Sequence, residues 1–104
     1  MTTIRIDPEA DDELLAAFDW YEARRPGLGQ EFTDAVDEAV TRLAALPEAS
    51  TPVPKIPPDI PARRVFLKRF PYTVVFMRVE EEIVVLAYAH MKRKPGYWLP
   101  RVQQ

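Results

Sequence analysis

The stretch VFLKRFPYTVVFMRVEEEIVVLAYAHMKRKPGYWLPR, residues 65–101, decides how this chain folds. Its apolar residues recur with a period of two, the spacing of strands that bury one face. Arg63, Val65 and Leu67 alternate with Arg64, Phe66 and Lys68, then Tyr72 to Val79 makes a second run and Ile83 to His90 a third. Arg69-Phe70-Pro71 separates the first two runs, and Glu80-Glu81-Glu82 supplies the charged tip of a hairpin between the others. A three-stranded antiparallel meander is predicted. Along its last strand, strict alternation puts His90 on the face of Val84, Leu86 and Tyr88.

Upstream of the meander, Pro47, Pro52, Pro54, Pro57, Pro58 and Pro61 fall within fifteen residues. That density forbids a helix or a central strand and predicts an extended, partly polyproline-like connection. Before it, Phe32, Val36, Ala39, Val40, Leu43 and Leu46 follow helical spacing from Gly29 to the stop at Pro47. An earlier stripe of Ala10, Leu14, Ala17, Phe18 and Tyr21 marks another helix, opened by Asp7-Pro8 and ended by Arg25-Pro26-Gly27. Asp7 is an N-cap, Pro8 presets the first helical φ, and the acids that follow suit the positive end of the helix dipole. Thr3 to Ile6 reads as a first strand with Ile4 and Ile6 on one face. The predicted order is β-α-α-β-β-β: an α+β domain spanning residues 1–104, its helical hairpin packed on a small, mainly antiparallel sheet.

The net charge of −2 hides two opposed halves. Residues 1–60 carry thirteen acids against five basic residues, whereas residues 61–104 carry nine basic residues against three acids. Such asymmetry points to an anionic partner for the basic half, or to an acidic helical layer covering a basic sheet. The absence of cysteine excludes a disulfide framework, a thiol nucleophile and cysteine metal sites. One histidine without neighbouring carboxylates does not make a metal site, no phosphate-binding glycine loop is present, and the single serine, Ser50, lies among the prolines. No metal or cofactor is expected. The N-terminus lacks a secretory signal and no segment approaches a membrane span, so a cytoplasmic, membrane-free protein is predicted.

Several strings then gain meaning together: Trp20-Tyr21-Glu22, Gly27-Leu28-Gly29 with Phe32, Arg69-Phe70-Pro71-Tyr72, Ala87 to His90, and Pro95-Gly96-Tyr97-Trp98-Leu99-Pro100-Arg101. In this order they resemble the RelE/ParE toxin superfamily of bacterial type II toxin–antitoxin modules, in particular its plasmid-stabilisation members. The resemblance implies the β-α-α-β-β-β fold, a cognate antitoxin, and either poisoning of DNA gyrase or ribosome-dependent cleavage of mRNA. A third possibility is a non-toxic protein that keeps the fold to bind its antitoxin.

Cleavage of RNA through an internal 2′-hydroxyl needs proton transfer and a clamp on the phosphate, which imidazole and guanidinium groups can supply. By resemblance, His90 is nominated for proton transfer, Arg63 or Arg64 for the phosphate, Arg93 as a second phosphate contact, and Tyr97 for base stacking or assistance in proton transfer. Lys68, Arg69, Lys92, Lys94 and Arg101 are further candidates for target contact. Trp20, Tyr21, Gly27 and Gly29 read as parts of the helical hairpin, and Trp98 as an anchor packing the tail back onto the helices.

Overall fold

A computed structural model describes residues 3–103. Strand β1 (Thr3–Ile6) leads into helices α1 (Pro8–Arg24) and α2 (Leu28–Ala45), followed by β2 (Thr51–Pro52), β3 (Arg63–Phe66), β4 (Tyr72–Val79) and β5 (Glu82–His90). Short 3₁₀ turns lie at Pro47–Ala49 and Leu99–Gln103. The strands form one sheet in the order β1-β5-β4-β3-β2, with β1 parallel to β5 and the other pairs antiparallel. The α+β order is the one expected, with β2 added. Two residues carry no readable periodicity, and Pro52 argues against a strand; β2 is tolerated because it lies on the sheet edge, opposite Arg63 and Arg64.

Local chemistry explains the helical hairpin. The Asp7 carboxylate accepts the Glu9 N–H at 2.9 Å, while the Asp7 N–H donates to Val85 O at 2.9 Å, so one residue caps α1 and extends the β1 ladder. At the next junction Gly27 adopts φ 91°, a left-handed conformation that disfavours side chains. Glu22 accepts from the Gly27 and Gly29 N–H groups at 2.9 and 3.0 Å, serving as the cap that α2 lacks at Gly27 itself. A Cβ on Gly29 would stand 2.8 Å from the Phe18 ring and 2.9 Å from its carbonyl oxygen. Trp20-Tyr21-Glu22 and Gly27-Leu28-Gly29 are therefore two halves of one junction. Tyr21 is buried there against Phe32 and Phe70, but Trp20 is 54% exposed and does not serve the packing expected of it.

Both faces of the sheet are covered. Phe32, Val36 and Leu43 of α2 meet Val65, Val74, Phe76, Ile83 and Val85 on one side. On the other, the proline-rich loop and the tail bring Val53, Ala62 and Trp98 onto Val75, Val84 and Leu86. Trp98, 1% exposed, thus packs on the sheet face opposite the helices, correcting the predicted contact with them. A strand apolar on both faces offers two surfaces, and sequence spacing does not say which one a tail will choose.

The alternation along β5 also breaks. Val75 pairs with Ala87 but Phe76 pairs with Val85, leaving Leu86 as the extra residue of a β-bulge. Val84, Leu86, Ala87 and Ala89 pack on the tail side, whereas Ile83, Val85 and Tyr88 face the helices. His90 follows Tyr88 to the helix side, away from Val84 and Leu86. A one-residue slip exchanges the two faces, and it is this slip that strict alternation overlooked.

Candidate functional site around His90

His90 closes β5 with its ring edge-on to Tyr72, centroids 5.0 Å apart. Its Nδ1 accepts the Lys92 N–H at 3.0 Å, which assigns the proton of the neutral imidazole to Nε2. The ring borders two hollows. One is a groove of about 540 Å³ between α1 and the ends of β4 and β5. The other is a cavity of about 90 Å³ that also touches Arg64, Arg93, Lys94 and Tyr97. Five of the residues nominated from the sequence therefore meet around one small space.

They do not meet on equal terms. Arg64 has a buried Nε with no hydrogen-bond partner and a guanidinium 5.1 Å from the Phe66 ring centre. Arg63, on the other face of β3, donates to Ser50 Oγ at 2.7 Å and to the Ser50 carbonyl, fastening the proline-rich loop. Arg93 lies over the Tyr97 ring at 3.8 Å. The Tyr97 hydroxyl donates to Glu13 Oε2 at 2.6 Å, and burial followed by the Glu13 carboxylate pushes its pKa above the usual phenol range.

Arg101 and Glu13 form a clasp for which the tail motif gave no warning. β1 ends where Ile6 pairs with Val85, so from Leu86 onward β5 has no strand neighbour on that side. Buried backbone groups still require partners. The Glu13 carboxylate accepts the Tyr88 N–H at 3.0 Å, and Arg101 donates to the Leu86 carbonyl at 2.8 Å. Arg101 also reaches Glu9 at 2.8 Å and Glu13 at 3.1 Å, leaving its side chain only 10% exposed. Two side chains thus replace a missing stretch of strand. Glu9 and Glu13 stand four residues apart on one helix face, a spacing from which a shared basic partner could have been read.

The remaining basic residues divide by location. Lys68 and Arg69 pair with Glu38 and Glu31 on α2, at 3.2 and 2.7 Å, and border a separate hollow there. Lys92 is exposed in the turn after His90. Internal pairing therefore absorbs part of the charge asymmetry, as an acidic helical layer on a basic sheet would. Arg64, Arg93 and Lys94 remain gathered beside His90.

Two helices thus pack on a mixed five-stranded sheet, with a basic tail crossing its far face. A family profile described as the ParE toxin of the type II toxin–antitoxin system parDE matches residues 4–95. The chain belongs to this family of type II toxin components. A solved structure described as the chromosomal ParDE TA system from P. aeruginosa shares the fold at a TM-score of 0.73 and 22% identity, covering 86% of this chain and 96% of that one. No curated protein matches the chain significantly. No helix among the described residues is long and apolar enough to cross a membrane.

Proposed function

We propose that this toxin component arrests growth in the cytoplasm by gripping DNA gyrase through the surface around His90, rather than by cutting RNA. The observation that carries the reading is the state of Tyr97. A nuclease needs one group to take a proton and another to return one. Tyr97 is the residue that would share that work with His90, yet its hydroxyl already donates its hydrogen bond to Glu13 Oε2 at 2.6 Å. Arg64, Arg93 and Lys94 give the surface positive charge suited to an anionic or acidic target.

Ribosome-dependent cleavage of mRNA is the second reading, favoured by the unpartnered Nε of Arg64 beside His90 and Arg93. A phosphate clamp requires such a donor. Inducing the wild-type chain and a His90→Gln variant in cells, then mapping mRNA ends and DNA breaks together, separates the two. Gyrase-dependent breaks with intact messages are expected. Messages cut by the wild type and spared by His90→Gln would overturn the proposal, while neither lesion would mark a non-toxic, antitoxin-binding protein.

A further inference from the structure

We infer that the face beside His90 lies on the sugar–phosphate backbone of the DNA that gyrase holds, with one phosphate seated in the cavity bordered by Arg64, Arg93 and Lys94; this rests on the gyrase reading above. Arg5, Arg25, Arg42, Lys68, Arg69 and Arg101 are already paired with carboxylates of this chain. Arg64, Arg93 and Lys94 form no ion pair among the described residues, and no acid lines the cavity they share. The Arg64 Nε is buried without a hydrogen-bond partner, and a buried donor costs free energy until an acceptor reaches it. Arg64 comes from β3 and the other two from the turn after β5, so the fold, not the sequence, brings them to one place.

Size and charge identify the occupant. The cavity of about 90 Å³ has room for about three waters at roughly 30 Å³ each, enough for one phosphate group and too little for a nucleobase. A single carboxylate would answer one guanidinium. Exposed Lys92 extends the cluster along the turn, and a row of unpaired cations calls for an occupant whose charge repeats along its length. Phe66, 41% exposed with the Arg64 guanidinium 5.1 Å from its ring centre, and Met91, 56% exposed at the cavity, add apolar surface against which sugar rings can rest. No asparagine, glutamine or carboxylate lines the cavity, so the contact follows the backbone rather than the base sequence.

The test titrates the purified chain against fluorescein-labelled DNA duplexes over a range of salt, beside a gyrase cleavage assay on plasmid DNA. Arg64→Gln and Lys94→Gln remove charge at the cavity, and Arg78→Gln removes the same charge from an exposed position of β4 outside it. Each cavity variant should weaken binding by about fivefold or more and lower the slope of log affinity against log salt by about one, with Arg78→Gln within about twofold of wild type. Two duplexes of unrelated sequence should bind within about threefold of each other. If Arg64→Gln melts early, Lys94→Gln decides. No DNA binding by the wild type, an equal loss in Arg78→Gln, or tighter binding to RNA of the same sequence would overturn the DNA contact. Binding to DNA-free gyrase that falls as far in Lys94→Gln would overturn it too, assigning the face to protein. Plasmid cleavage without DNA binding would leave the gyrase reading standing alone, whereas DNA binding without cleavage would overturn the gyrase reading and support the contact.

Discussion

Glu13 is the residue on which most of the site's geometry converges, because it accepts from a strand N–H, a phenol and a guanidinium together. The three donors separate its roles. Tyr97→Phe removes one hydrogen bond while Glu13 keeps the others, so a loss of about 1 kcal/mol is expected. Glu13→Ala strands the Tyr88 N–H and leaves Arg101 with only Glu9 and the Leu86 carbonyl, and the cost should rise to on the order of 3 kcal/mol. Chemical denaturation of both variants checks the order, and equal losses would show that Tyr97 alone carries the clasp. The contrast is also a lesson in legibility. His90 and Arg93 could be singled out from their positions in a basic segment, but Glu13 sits eighty-four residues from Tyr97 and looked like one more acid near a helix start.

At the scale of elements, α1 and α2 meet through a glycine that cannot enlarge. The Cβ of a Gly29→Ala variant would run into the Phe18 ring and its carbonyl, and the carbonyl cannot swing aside. A destabilisation of about 1–3 kcal/mol is expected by denaturant titration, although alanine favours a helix. The far end of the same junction is tied by Glu31, which links Arg25 after α1 to Arg69 in the β3–β4 turn. Hydrogen bonds from Arg69 and then Arg25 hold the Glu31 carboxyl below its usual 4.5. A carboxyl whose folded value is lowered stabilises the fold above the unfolded value and loses that contribution as pH falls through the folded one. Melting curves from neutral pH to acid should therefore fall less steeply for Glu31→Gln than for wild type. Helix spacing, the Asp7-Pro8 cap and the Pro47 stop were readable because each depends on neighbours in sequence. The pairing of Glu22 with Gly27 and Gly29 was not, since it requires the turn to have closed.

Over the whole molecule, the tail and the proline-rich loop form a second covering layer, with Trp98 as its largest buried side chain. Trp98→Ala should cost about 3–5 kcal/mol, which in a domain of this size lowers the melting temperature by on the order of 12–40 °C. A small shift would mean that the layer is held by the Arg101 clasp instead. By itself the sequence determined β1, the meander, the two helices and their order, though not β2, because period, caps and prolines act through local backbone geometry. It also placed His90, Arg93 and Lys94 together, since they share a turn. Only the tertiary structure decided which face each apolar residue took. The bulge at Leu86 reverses the alternation once β4 pairs with β5, and Trp98 selects a face only after loop and sheet have met. It likewise drew Arg63 to Ser50 and left the Arg64 Nε without a hydrogen-bond partner, although the two residues are adjacent in the chain. Successive strand residues point to opposite faces, and what waits on each face is set by segments distant in sequence.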